Sequence, residues 1–112
     1  MNTVVLCGRS GRDAELKYFE SGKCRAQFSL AVNRWDSKTK AEVTDWFNVD
    51  VWDKLGEFAG QYVKKGTQLI LDGRISQNKW TDKATGEEKE AFMVVANNIR
   101  LLGSRRDAEQ IL

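Results

Sequence analysis

The residues of this chain that could take part in chemistry are four tryptophans, two cysteines and a set of lysines and arginines, with no histidine. Without histidine the usual general base and the commonest zinc ligand are missing, and the sequence contains neither a P-loop nor a nucleophile elbow. Cys7 and Cys24 form no CxxC pair, so two reduced, buried thiols are the simpler interpretation and a disulfide between them is the alternative. We therefore predict a protein that is not an enzyme and that uses no metal, cofactor or small-molecule substrate.

The spacing of the tryptophans places them on polar faces of predicted strands. In segment 45–52 the odd positions Phe47, Val49 and Val51 form an ordinary core face, so burial in the core does not explain the aromatic residues at even positions. The same alternation assigns all the tryptophans to faces otherwise lined by polar residues: Trp35, Trp46, Trp52 and Trp80. For Trp80 this assignment holds only if Gly73 does not shift the strand register.

Exposed aromatic rings beside cations suit a ligand that has flat π-faces and negative charge. Stacking of a nucleobase on an aromatic side chain contributes about 1–3 kcal/mol of binding free energy per base, and it does not depend on the base sequence. The formal charge of the 112-residue chain is only +2, so a polyanion would have to be bound by locally placed cations. The candidates for phosphate contacts lie next to the tryptophans or in two flanking loops: Arg34, Lys54, Lys79, Lys38, Lys40 and Lys83. Asp45 and Asp50 argue mildly against this interpretation, and a subunit interface is the alternative use of the aromatic residues.

The elements that would position these residues are short strands punctuated by glycine. Period-2 patterns predict a first strand at 3–9 that bends between Gly8 and Gly11 and continues over 14–19, followed by strands at 25–32, 45–52, 67–80 and 90–102. A helical stripe predicts a helix over 53–65, with Asp53 as N-cap and Gly66 at C′, and polar segments predict a loop at 36–44 and a hairpin tip at 82–87.

This element order predicts an all-β fold with one helix. Three strands, a helix and two strands is the order of the OB-fold, a five-stranded Greek-key barrel with the helix between strands 3 and 4, and an SH3-like barrel is the alternative. We predict one OB-fold domain over residues 1–103 and a short C-terminal tail at 104–112.

Several stretches, taken in order, resemble the bacterial single-stranded DNA-binding proteins (SSB). They are VLCGR at 5–9, FSLAVNR at 28–34, DWFNVDVW at 45–52, AGQYVKKG at 59–66, DGRI at 72–75 and KWTD at 79–82. The resemblance implies an OB-fold without catalytic activity that binds and protects single-stranded DNA, independently of sequence, in replication, recombination and repair. It implies base stacking by Trp46, Trp52 and Trp80 with basic contacts from Lys54 and Lys79, and assembly as a homotetramer, with a homodimer as the alternative.

The sequence departs from the family pattern in two places. The family's aromatic residue after the second strand usually lies one position beyond Trp35, so Trp35 either shifts register or contacts DNA differently. The acidic recruiting tail of the family has no counterpart in segment 104–112, so either the sequence is truncated or this member lacks the recruitment of repair enzymes, which this chain does not support. Two further hypotheses use the same surface: a primosome-type or RNA-binding OB protein, and an OB module that binds another protein.

The first strand suggests an interface between subunits. Both faces of this strand are apolar, so we predict that the core covers one face and a second subunit covers the other. The residues concerned are Val4, Val5, Leu6 and Cys7.

The longest apolar run, 91–96, is far shorter than the ~20 residues of a membrane span, and the N-terminus lacks the features of a signal peptide. We therefore predict a cytoplasmic protein of the bacterial nucleoid without a membrane partner, with a plastid or another organelle as the alternative.

Overall fold

A computed structural model describes residues 1–103 and shows a barrel with a single helix. Its elements are β1 (Val4–Ser10), β2 (Glu15–Tyr18), β3 (Cys24–Asp36), β4 (Ala41–Trp52), α1 (Asp53–Tyr62), β5 (Gln68–Thr81) and β6 (Glu88–Leu101). The strand order is β1-β5-β6-β4-β3-β2, and pairing of β1 with β3 closes the barrel. β4 and β6 run parallel, whereas the other neighbours are antiparallel. The predicted tail at 104–112 lies outside the described residues.

The OB-fold predicted from the element order is confirmed. β1 and β2 are the two halves of the predicted bent first strand, because β1 pairs with β5 whereas β2, after the bend, pairs with β3. Counted in this way the barrel has five strands, and α1 lies between the third and the fourth of them. The predicted hairpin tip at 82–87 is also confirmed, since β5 ends at Thr81 and β6 begins at Glu88.

The core follows from the alternation of side chains along the strands. β3 buries Ala26, Phe28 and Leu30, which meet apolar residues from β4, β5 and β6 in one cluster. α1 closes one end of this cluster through Ala59, and the residue after the helix, Val63, is also fully buried. Because alternate residues of each strand point into this core, the residues between them form the outside of the barrel.

The helix is shorter than predicted, and its caps differ from the prediction. It ends at Tyr62, and Val63 follows in an extended conformation, so Gly66 does not occupy C′. The carbonyl of Val63 accepts a hydrogen bond of 2.9 Å from the backbone N–H of Ala14, so pairing with the bend of the first strand ends the helix early. Asp53 is the first helical residue rather than the N-cap, a position that Trp52 occupies without a capping side chain.

The predicted loop at 36–44 is wrong over its second half. Residues 41–44 belong to β4 and pair with the end of β3, so that only 37–40 form the turn. This ribbon extends beyond the barrel and is largely exposed on both faces. Strands that are exposed on both faces lose the apolar alternation by which strands are predicted, which explains the error.

The cysteines differ in their surroundings. Both are free thiols, but only Cys24 is buried, and the prediction of a buried Cys7 is wrong because Cys7 lies on the outward parity of β1. Burial raises the pKa of the Cys24 thiol, and the carboxylates of Glu57 and Asp53 raise it further. Within residues 1–103 no helix is both long and apolar enough to cross a membrane.

Candidate nucleic-acid interface

One continuous face of the barrel carries all the tryptophans. Residues that are paired across neighbouring strands share a face, so the strand register traces this face from β2 to β5. Four pairs fix it: Lys17 with Arg25, Arg25 with Trp52, Asp50 with Val95, and Lys89 with Trp80. We call this surface the outer face; it consists of the odd residues of β2 and β3, the even residues of β4 and β5, and the odd residues of β6 up to Val95.

The exposure predicted for the tryptophans is confirmed. Trp35 is 65% exposed, Trp46 61%, Trp80 48% and Trp52 38%. Trp80 keeps its predicted parity, because the register shift at Gly73 places the extra residue, Asn97, in β6 and leaves β5 uninterrupted. Large aromatic rings that the core does not use are thus spread along a single surface.

The ring of Trp46 lies against the bend between β1 and β2. A Cβ added to Gly11 would come within 2.9 Å of the Trp46 ring atom Cη2 and within 3.0 Å of the Ser29 hydroxyl. Glycine at position 11 therefore leaves the space that the indole occupies. This contact covers part of the ring, while most of the residue remains exposed.

Asp45 and Asp50, the two carboxylates expected to repel an anionic ligand, both accept hydrogen bonds from neighbouring side chains. Asp45 accepts a hydrogen bond of 2.8 Å from Arg34 Nε within an ion pair. Asp50 is 9% exposed and accepts a hydrogen bond of 2.8 Å from Gln27 Nε2. The ion pair with Arg34 neutralises Asp45, whereas the hydrogen bond from Gln27 occupies one oxygen of Asp50 without neutralising it.

The cations predicted from their proximity to tryptophans fall into two groups. Lys38, Lys40, Lys54 and Lys83 are exposed in turns or at the start of the helix. Arg34 and Lys79 lie on the opposite parity from Trp35 and Trp80, because adjacent residues of a strand point to opposite faces. Nearness in sequence therefore does not place a cation beside a tryptophan when both lie in a strand.

The outer face carries cations that the sequence analysis did not select. They are Lys17 in β2, Arg25 in β3, Arg74 in β5 and Lys89 in β6. Lys89 pairs with Asp82 at 3.0 Å, and the backbone N–H of Ala84 together with Lys89 lowers the pKa of that carboxyl. Strand alternation alone would have assigned Lys17 and Arg25 to polar faces of their strands, but only the strand pairing shows that these faces join the face of the tryptophans.

Sequence comparison places this arrangement among known proteins. The model of the single-strand binding protein family matches residues 1–102. The chain belongs to this family. A curated SSB of Synechocystis, single-stranded DNA-binding protein 1, is 46% identical over 107 residues, which cover 96% of this chain and 88% of the relative. A Nostoc protein of the same name is 38% identical over 97% of this chain and 89% of its own length.

A longer relative also matches this SSB. The single-stranded DNA-binding protein of Neisseria meningitidis serogroup A is 40% identical over 110 residues, which cover 96% of this chain and 63% of the relative. The family consists of binding proteins rather than enzymes. Membership therefore agrees with a surface that offers aromatic rings and cations.

Proposed function

We propose that this SSB binds single-stranded DNA without sequence readout by stacking bases on Trp46, Trp52, Trp80 and Trp35. The observation that carries the proposal is the exposure of all four rings on the outer face. Each stacked base contributes about 1–3 kcal/mol, and every base offers a π-face, so stacking tolerates any sequence. Family membership and the names of the cyanobacterial relatives support DNA as the ligand. Protection of single strands in replication, recombination and repair is the general role of the family.

Phosphate contacts would come from flexible cations around the rings. Lys54 lies just after Trp52, and Lys38, Lys40 and Lys83 lie in the turns that flank the outer face. Arg34 and Lys79 are predicted as further phosphate contacts, but both point to the face opposite the tryptophans, and Arg34 would have to leave its ion pair with Asp45. Each phosphate contact to a single strand lowers the slope of log K against log salt by about 0.7. Several such contacts would make binding distinctly weaker at high salt.

A comparison of single-stranded and duplex DNA tests this function. At low salt the protein should bind an oligo-dT strand much more tightly than a duplex of equal length, because only unpaired bases expose their faces for stacking. Equal affinity for oligo-dT and oligo-U would favour the RNA-binding alternative. Equal affinity for oligo-dT and duplex would refute stacking and leave only charge attraction.

We infer further that β1 mediates assembly into a homotetramer, with a homodimer as the alternative. Among residues 1–103, residues 4–8 of β1 pair with β5 on one edge and have no strand on the other. Val4 and Leu6 pack against the core, whereas Val5 is 61% exposed and Cys7 is exposed beside it. An unpaired strand edge with outward-facing apolar side chains is a template for pairing with a second chain.

The location of the protein in the bacterial cytoplasm, with an organelle as the alternative, stays a prediction.

A lysine in the outward row should disrupt this assembly. Val5→Lys places a charge on the unpaired edge, opposite Asp72 of the same chain, and should shift the protein toward monomers at micromolar concentration. Sedimentation velocity measures the shift, and Gln61→Lys on the exposed side of α1 is the matched control. A wild-type protein that sediments as a monomer would refute the proposed role of β1.

A further inference from the structure

We propose that Lys17, Phe19 and Arg25 form, next to Trp52, a further subsite that takes one more nucleotide of the same strand. In this subsite Arg25 and Lys17 bind the phosphate, and the ring of Phe19, which stacks on Trp52, supports the additional base. The inference rests on the proposed binding of single-stranded DNA. It adds ligand contacts in the β2 part of the outer face, where the sequence pattern placed none.

Two aromatic rings and two cations meet at this point. The rings of Phe19 and Trp52 stack with centroids 5.9 Å apart and an angle of 24° between their planes. The Arg25 guanidinium carbon lies 5.4 Å from the Phe19 centroid and 5.8 Å from the Trp52 centroid. Lys17 Nζ lies 5.3 Å from the Phe19 centroid. Packing against two aromatic faces holds the guanidinium on the outer face.

The positive charge of this cluster has no carboxylate partner within residues 1–103. The ion pairs of the described chain involve neither Lys17 nor Arg25. In the part of the chain that the structure describes, Arg25 Nε is buried and has no hydrogen-bond acceptor, a state that costs about 1–3 kcal/mol for an ordinary polar group. A guanidinium kept ordered and unpaired offers its remaining N–H groups to an anion from outside, and phosphate fits that planar fork.

The cluster lies where a strand leaving Trp52 would pass. Lys17, Arg25 and Trp52 are direct neighbours on three adjacent strands, so they form a single row across the outer face. Along β4, Trp46 and Trp52 are six residues apart, or about 20 Å at the rise of a strand. Lys17 and Arg25 therefore lie across the strands from Trp52, on β2 and β3. This group is at the end of the paired strands β3 and β4 opposite to Trp35.

Substitution of Arg25 separates a binding role from a packing role. Arg25→Gln keeps a polar side chain with part of the aliphatic stem and removes the charge; it should weaken oligo-dT binding about tenfold at low salt. It should also reduce the steepness of log K against log salt by about 0.7, the value for one lost phosphate. Arg25→Lys should retain the salt slope, because it retains the charge. Phe19→Leu should weaken binding about fivefold and leave the slope unchanged.

The control is Lys64→Gln, which removes an exposed positive charge after α1, away from the outer face. It should change neither the affinity nor the salt slope. If Arg25→Gln binds with wild-type affinity and slope while Trp46→Ala binds weakly, this subsite is refuted and the proposed function stands. If the wild-type protein does not bind oligo-dT, the proposed function itself fails. Should Arg25→Gln unfold, a changed salt slope in Arg25→Lys would equally overturn the proposal.

Discussion

Replacement of Trp46 by alanine should weaken the binding of oligo-dT by roughly ten- to a hundredfold. The loss corresponds to one stacked base, which contributes about 1–3 kcal/mol. Trp46 is 61% exposed, and its ring lies over Gly11 without entering the core, so the free energy of unfolding should change by less than about 1 kcal/mol. Equilibrium titration gives the affinity, and thermal unfolding shows whether the fold is intact.

Tyr62→Ala is the matched control for Trp46. Tyr62 is 44% exposed and lies at the end of α1, where it contacts Phe58 and not the outer face. Removing this ring should leave the affinity for oligo-dT unchanged. A Trp46→Ala protein that binds as tightly as wild type, or a Tyr62→Ala protein that binds as weakly as Trp46→Ala, would contradict stacking on the outer face.

Gly73→Ala should destabilise the fold by about 3 kcal/mol, which lowers the melting temperature by roughly 13 °C. Gly73 lies at the register shift where β5 faces the bulge in β6. A Cβ at this position would collide with the Val95 carbonyl oxygen and come within 2.9 Å of Ala96 Cα. Both are backbone atoms, which move only if the β5–β6 pairing shifts, so no side-chain rearrangement relieves the clash.

Gly60→Ala provides the comparison for Gly73. A Cβ on Gly60 would lie 3.2 Å from Leu16 Cδ2, which can rotate away, and 3.0 Å from Leu16 Cβ, which needs a shift of only a few tenths of an ångström. Alanine also favours the helix by about 1 kcal/mol relative to glycine, so the net change should be small. Melting temperatures within about 2 °C of each other for the Gly73→Ala and wild-type proteins would show that the bulge tolerates a side chain.

The positions of the tryptophans could be predicted because strand alternation is a local property. Trp46 and Trp52 alternate with Phe47, Val49 and Val51, so a single strand already separates the core face from the other face. The bend of the first strand and the register shift at Gly73 were likewise marked by glycine. These features depend on residues that are near one another in sequence.

The cations of the outer face depend on which strands become neighbours. Arg25 meets Trp52 through the pairing of β3 with β4, and Lys17 joins them through β2. That pairing is a tertiary property, so proximity in sequence selected Arg34 and Lys79 on the opposite parity instead. The end of the helix was missed for the same reason, because the contact of Val63 with Ala14 joins residues that are distant in sequence.

Titration of the intrinsic tryptophan fluorescence with oligo-dT of increasing length tests the central claim most directly. If bases stack on the exposed rings, the fluorescence should be strongly quenched at low salt. The quenching should increase with oligonucleotide length until the outer face is filled, and salt should reverse it. Tight binding of oligo-dT that leaves the tryptophan fluorescence unchanged would contradict the account, since the strand would then pass elsewhere on the barrel.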